Sequence, residues 1–393
     1  MLPRGECLRC TAGALVVLFA ALGARADEVD VRHGAAPHLP FAGPRFEGGL
    51  ALTYQHARDT RVKDSGQASL DVVLDMQALG GDWTLYLEGA TTPPGQGASR
   101  VLAEANADAG TALDAHGRGR VQVSELYYSR TVGGGWFSAG VLDATSYLDA
   151  SAVANNETTQ FIGRTLVNNP TIEFPDYSPG LVYHREPGRR VPGLSLMASA
   201  SAGLGDNPRA TYAELFDIDD DRKGMFAAAE FYWQGAESTV RLGAWTHTGD
   251  HARLDGEGVV DRNLGAYLSV DRNLGRGGVN LRLGAADPTV SRAARFVSLA
   301  YARPVGRVTV GAGVARTEVS AVGRAPGQED VTQAELYARF PPTGGLSMSP
   351  SVQWLHNSGF DGSGLRLSLI HIRRCRRTYP CGAMWLPDHL NHE

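Results

Sequence analysis

Leu264-Gly265-Ala266-Tyr267-Leu268-Ser269-Val270-Asp271 decides the fold class. Leu264, Ala266, Leu268 and Val270 fall on one side of an extended chain, and Tyr267, Ser269 and Asp271 fall on the other. That is the period of a strand with two unlike faces. The next segment continues it, with Val279, Leu281 and Leu283 opposing Asn280 and Arg282. Upstream, Val240, Leu242 and Ala244 oppose Arg241, Trp245 and His247. Leu70, Val72, Leu74 and Met76 oppose Asp71 and Asp75, and Trp83, Leu85 and Leu87 oppose Thr84, Tyr86 and Glu88. Downstream, Leu336 and Phe340 oppose Gln333, Glu335, Tyr337 and Arg339.

A soluble sandwich also alternates, but it packs its apolar face and wets its polar one. A membrane barrel turns the apolar face to lipid and the charged face to a wet lumen. Strand number and loop lengths separate the two. The pattern predicts strands near 47–57, 67–78, 82–90, 120–130, 135–143, 180–186, 193–201 and 225–234. It continues with 238–247, 262–271, 278–286, 295–303, 307–317, 331–340, 346–356 and 363–370. That makes about sixteen, an even number as bacterial barrels use. Tight turns such as Ala78 to Gly81, Thr131 to Gly134 and Pro304-Val305-Gly306 alternate with long loops at 91–119, 144–179 and 202–224. The expected fold is all-β: one transmembrane antiparallel barrel over 47–370, with long extracellular loops and short periplasmic turns.

The rest of the composition fits export. The chain has 393 residues and a net charge of −5, with lysine only at Lys63 and Lys223. No basic block sits in its body, which excludes a nucleic-acid partner. Arg4 and Arg9, the apolar run Ala12 to Leu22 and Ala24-Arg25-Ala26 read as a signal peptide over 1–26, followed by a periplasmic segment over 27–46. The apolar run is far shorter than the ~20 residues of a membrane-spanning helix. Cys7 and Cys10 leave with the signal, and Cys375 and Cys381 lie in an atypical tail, so no disulfide is available to the barrel.

Several fragments then resemble one family. Glu125-Leu126-Tyr127-Tyr128, Ala139-Gly140-Val141-Leu142-Asp143, Asn155 to Phe161 and Val167-Asn168-Asn169-Pro170 are similar to the carbohydrate-selective porins of the OprB type. So are Ala229 to Tyr232, Arg241 to Trp245, Ala334 to Tyr337 and Ser351 to Trp354, in the same order along the chain. Val141 stands where such proteins often carry a basic residue. The resemblance implies a sixteen-stranded outer-membrane channel for passive, carbohydrate-preferring uptake, narrowed by loops folded inward. Its partners would be outer-membrane lipid and mono- or oligosaccharides, with a homo-oligomer open and no cofactor or metal. The alternatives are a general or anion-preferring porin and, below both, an outer-membrane barrel enzyme. No His-Glu-x-x-His, Gly-x-Ser-x-Gly or phosphate-binding glycine loop supports the enzyme.

Selecting a sugar takes aromatic rings for its C–H face and charged or amide groups for its hydroxyls. Lumen parity offers Tyr86, Tyr232, Trp245, Tyr267 and Tyr337, with Glu88, Glu230, Arg241, Asp271, Arg282, Glu335 and Arg339. Arginine suits this because its rigid fork of donors can bridge adjacent hydroxyls. Arg241 and Trp245 are the pair expected to bear most directly on sugar block. With both signs of charge, the lumen is expected to be weakly ion-selective. Loop 144–179 is too long for a mere connector. It supplies the expected constriction with Asn155, Asn156, Gln160, Arg164, Asn168 and Asn169. Asp217-x-Asp219-Asp220-Asp221 has carboxylates at calcium-like spacing, yet Arg222 and Ala228 stand where the motif needs Gly and Glu, so it reads as a solvated acidic loop. Beyond Leu365-Arg366-Leu367-Ser368-Leu369 the alternation stops. The arginine-rich run Arg373 to Arg377 and the tail 371–393 read as a frame-shifted or foreign appendage without order, only its first few residues completing the barrel.

Overall fold

A computed structural model describes residues 44–58, 61–109, 112–205, 212–216, 224–343, 345–360 and 376–379. Its strands are β1 (Arg45–Gln55), β2 (Ser65–Ala78), β3 (Gly81–Ala90), β4 (Val121–Val132) and β5 (Gly135–Leu142). β6 (Ser178–Arg185), β7 (Gly193–Ala200), β8 (Met225–Gln234), β9 (Ser238–His247) and β10 (Asn263–Asn273) follow. Then come β11 (Gly278–Ala286), β12 (Ala293–Val305), β13 (Val308–Val319) and β14 (Val331–Thr343). β15 is in two pieces, Leu346–Met348 and Ser351–His356, both paired to β14, and β16 is Arg376–Tyr379. With β15 counted once, this is a sheet of sixteen strands among the described residues. Among the described residues every pairing in it is antiparallel and joins chain neighbours, except that β16 pairs with β1.

The predicted strands at 225–234, 238–247 and 278–286 coincide with β8, β9 and β11. The other described ones differ by a few residues. The hairpin turns explain the tight reversals. Leu79 and Gly80 (φ 58° and 76°) and Gly133 and Gly134 (φ 58° and 80°) carry positive φ at both central positions, which matches the twist of the flanking strands.

The closing of the sheet is described only in part. The sequence places the last strand at 363–370, a segment that lies outside the described residues. The described contact on β1 instead comes from the segment set apart as a tail, with Phe46 opposite Tyr379 and Gly49 opposite Arg376. A free strand edge leaves backbone donors and acceptors unpaired, so chain that reaches the free side of β1 is drawn into the ladder. The signal segment, residues up to 43, the acidic run 217–221 and the rest of the tail also lie outside the described residues.

The two faces separate as the parity predicts. Leu283, Val297, Leu299, Leu336, Val352 and Trp354 are exposed on the outer surface, and Leu268 is half-buried there. The inner parity is buried: Ser269, Asp271, Asn280 and Arg282 are all fully covered. What covers them is chain folded inside the barrel, the connection 143–177. Its apolar residues make two clusters against the inner wall. Leu148 and Ile172 pack with Met197, Phe226 and Trp245, while Val153, Phe161 and Leu166 pack with Phe296, Ala315 and Tyr337.

The inward aromatics have a specific seat. Tyr232 lies opposite Gly193, Tyr267 opposite Gly243, Tyr337 opposite Gly311 and Trp245 opposite Gly265. A Cβ added at Gly243 would stand 2.1 Å from the Tyr267 ring, and one at Gly193 or Gly311 would stand 2.2 Å from its tyrosine. The ring takes the space the missing side chain leaves and pins the register. Gly243→Ala is therefore expected to destabilise the barrel by about 1–3 kcal/mol, the usual cost of overpacking. Urea unfolding in lipid vesicles measures it, and Gly66→Ala on β2, with open space around it and no positive φ, should cost little.

Candidate functional site

Two kinds of inward residue emerge. One kind is covered and holds the inner loop. The Arg282 Nη1 donates to the carbonyls of Leu166 (3.2 Å) and Val167 (3.0 Å), and Nη2 donates to the Asp149 carbonyl and Asn155 Oδ1, each at 2.8 Å. Its Nε lies 3.3 Å from the Asp149 carboxylate. Glu230 accepts from the Asp149 N–H and from Tyr267 Oη, both at 2.8 Å. Arg241 donates to Asp271 at 3.0 Å, and Asp271 also accepts from Ser151 Oγ at 2.7 Å. Glu335 accepts from the Gly163 N–H at 2.7 Å and from the Ile162 N–H. Gln333 accepts from Thr165 and donates to the Glu104 carbonyl at 2.8 Å. These side chains satisfy the backbone of loops that have no ladder of their own inside the barrel.

Tyr232, Trp245 and Tyr337 belong to the same covered set. Tyr232 Oη donates to Glu186 at 2.9 Å, and Arg241 lies 5.9 Å over its ring. Trp245 stacks on Phe226, with centroids 6.2 Å apart. Tyr337 meets Phe161 edge to face at 4.9 Å. Arg339 is half-buried on the same strand, nearer the short-turn end. Gln160 is spent within the loop, accepting from the Asn155 and Asn156 N–H groups and donating to the Ala152 carbonyl.

The other kind borders open space. A cavity of about 1020 Å³ lies between the wall of β1 to β4 and loop 143–177. Of the expected site residues it is lined by Tyr86, Glu88, Asn155, Asn156, Arg164, Asn168 and Asn169. Tyr86 donates to Asp71 at 2.8 Å and meets the Tyr177 ring at 6.4 Å, and Glu88 accepts from Ser124 at 2.5 Å. Asn156 Oδ1 accepts from Thr158 and Thr159, which shapes the loop tip. Asn169 does the same for Thr171.

The charge of this lining differs from the expected mixture. Asp71, Glu88, Glu104, Glu125, Asp143, Glu157, Glu173 and Asp176 border the cavity, against Arg164 and Arg292. Burial pushes the Asp143 carboxyl up, so not every one of these need be ionised. The balance is acidic all the same. Glu104, Glu157, Asp176 and Tyr177 escape strand periodicity because they sit on loops, where no alternation marks direction. The lengths of 91–120 and 143–177 were the available signal, since connections that long are unusual in a compact domain.

Comparison with solved structures now bears on the fold. The high-pH structure of Pseudomonas putida OprB superposes with a TM-score of 0.63 over 85% of this chain and 93% of that one, at 12% identity. The barrel is porin-like. A mutant of Rh. blastica porin aligns over 86% of this chain and 100% of that one, at 15% identity and a TM-score of 0.49. No family model matches the sequence. An uncharacterized protein of Aquifex aeolicus (strain VF5) is 41% identical over 69 residues, which is 18% of this chain and 22% of that protein.

Proposed function

We propose that this barrel is an outer-membrane channel through which small neutral, hydroxylated solutes, sugars foremost, diffuse passively. The observation that carries the reading is the cavity between the β1–β4 wall and the inward loop. It is lined by polar side chains, it borders the loop folded into the barrel, and it offers the groups a sugar needs. Tyr86 and Tyr177 supply ring faces, while Glu88, Asn155, Asn156 and Arg164 supply donors and acceptors. Such contacts must be weak and numerous for a solute to leave as readily as it enters. The family resemblance of the sequence and the OprB-like fold support the same substrate class. Export by the segment 1–26 would deliver the chain to the outer membrane.

The acidic lining opposes an anion-preferring channel, because a constriction rimmed by carboxylates raises the local concentration of cations and repels anions. Two outcomes are expected. In a KCl gradient across a planar bilayer, the reversal potential should have the sign of K⁺ permeating faster than Cl⁻. Neutralising the rim with Glu157→Gln and Asp176→Asn should shift it toward zero. In liposome swelling, glucose should enter faster than gluconate of nearly the same size. Preference for Cl⁻ together with faster gluconate entry would refute the reading.

A further inference from the structure

Outside the solute pathway's sugar-facing groups, Glu173, His247 and His251 come together at the long-loop end of the barrel. Glu173 is on the inward loop, His247 ends β9, and His251 starts a short hairpin (His251–Ala252 with Val259–Val260) in the β9–β10 connection. One ligand-type atom from each lies within 4.8 Å of the others. His251 Nε2 is 3.1 Å from Glu173 Oε2, His247 Nε2 is 3.9 Å from Glu173 Oε1, and the two imidazole rings meet at 4.6 Å. We propose that these three side chains form a binding site for a divalent transition-metal ion, which ties the inward loop to the rim.

The donor set and spacing carry this. Two imidazoles and one carboxylate suit zinc and its neighbours and do not suit calcium or magnesium, which take oxygen ligands. Zinc bonds of about 2.0–2.2 Å put tetrahedral ligand atoms roughly 3.4 Å apart, and here the three ligand atoms lie within 4.8 Å of one another, within reach of a small side-chain adjustment. The carboxylate is already oriented from outside: Asn263 Nδ2 donates to Glu173 Oε2 at 2.8 Å and also to Ser291 Oγ. Outer partners of this kind fix a ligand's direction. The His251 Nε2 donates to the Glu173 carboxylate at 3.1 Å and its Nδ1 is buried without a hydrogen-bond partner, so a metal ion on Nε2 would take the place of that shared proton. His247 Nδ1 accepts a long bond from the Gly249 N–H at 3.2 Å. Metal on Nε2 would move the proton to Nδ1 and release that contact. Glu173 borders the cavity and its side chain is 40% exposed, which leaves a fourth position for water and a route in for the ion.

Zinc chloride titrated into the purified full-length barrel in detergent, followed calorimetrically, tests the site without reference to what the channel conducts. Binding of one zinc per chain is expected, with an X-ray absorption signature of two imidazole nitrogens and carboxylate and water oxygens. His251→Ala and the milder Glu173→Gln should each weaken binding by tenfold or more. His116→Ala, at an exposed histidine elsewhere, should leave it intact. Failure to bind zinc, or binding unchanged in both site variants, would show that the three residues form only a hydrogen-bonded contact. Lost binding in a Glu173→Gln barrel that keeps its heat-modifiable gel shift cannot be put down to misfolding.

Discussion

Replacing Arg282 with Met is expected to release the inward loop and raise single-channel conductance several-fold, with the barrel still assembled. Arg282 is fully buried between β11 and the loop, and it makes four hydrogen bonds and one ion pair to loop residues 149–167. Methionine fills a similar volume but leaves three carbonyls and one amide oxygen without a donor in a place water reaches poorly. Removing one partner of a buried pair typically costs about 3–5 kcal/mol. Part of that cost is relieved here. Burial pushes the Asp149 carboxyl up to about 7 even with Arg282 opposing it, so without the guanidinium it takes up a proton instead of remaining a lone buried charge. The loss falls on the loop's attachment rather than on the ladder, because no strand pairing runs through the Arg282 side chain. Planar-bilayer recordings read the outcome, and the heat-modifiable gel shift checks assembly. Unchanged conductance in an assembled variant would mean that the loop does not constrict the pore.

Leu336→Arg is the second large effect. Leu336 sits mid-strand in β14, between Ala312 and Val352, and is 61% exposed. In water an exposed leucine is replaceable within about 0.5 kcal/mol. On a lipid face near the midplane, arginine costs about 2–4 kcal/mol. Unfolding from lipid vesicles in urea therefore separates a membrane barrel from a soluble one through a single substitution. A change of only a few tenths of a kcal/mol would contradict the membrane assignment. The inward neighbours make a poor control, contrary to what a wet lumen implies: Tyr267 seals Gly243 and Asn280 donates to Ser269 and Asp271. Arginine at either site would disrupt packing too.

The strands were legible because a barrel wall has two unlike faces, and alternation at period two survives in a single sequence. Leu264 to Asp271 reads correctly as outer side against inner side without any partner strand in view. What the inner side meets was not legible. Arg241 has the same parity whether it faces water or a folded loop, and nothing local distinguishes the two. The seat of Tyr267 on Gly243 depends on cross-strand register, which periodicity along one strand does not contain. Loop 143–177 announced its importance by length and amide content, yet its contacts with Glu230, Arg282 and Glu335 join residues far apart in the chain. The pairing of Arg376–Tyr379 with β1 was not legible because the segment around Arg376 lacks alternation.

The central claim, a pathway that binds sugars as they pass, is tested most directly by titrating maltose against ion current through the reconstituted channel. The account predicts a saturable fall in conductance for the unaltered protein. Tyr86→Ala, which removes a ring from the cavity wall, should weaken that block by at least threefold at the same open-channel current. A current indifferent to maltose at every concentration, in a channel that otherwise conducts, would contradict it.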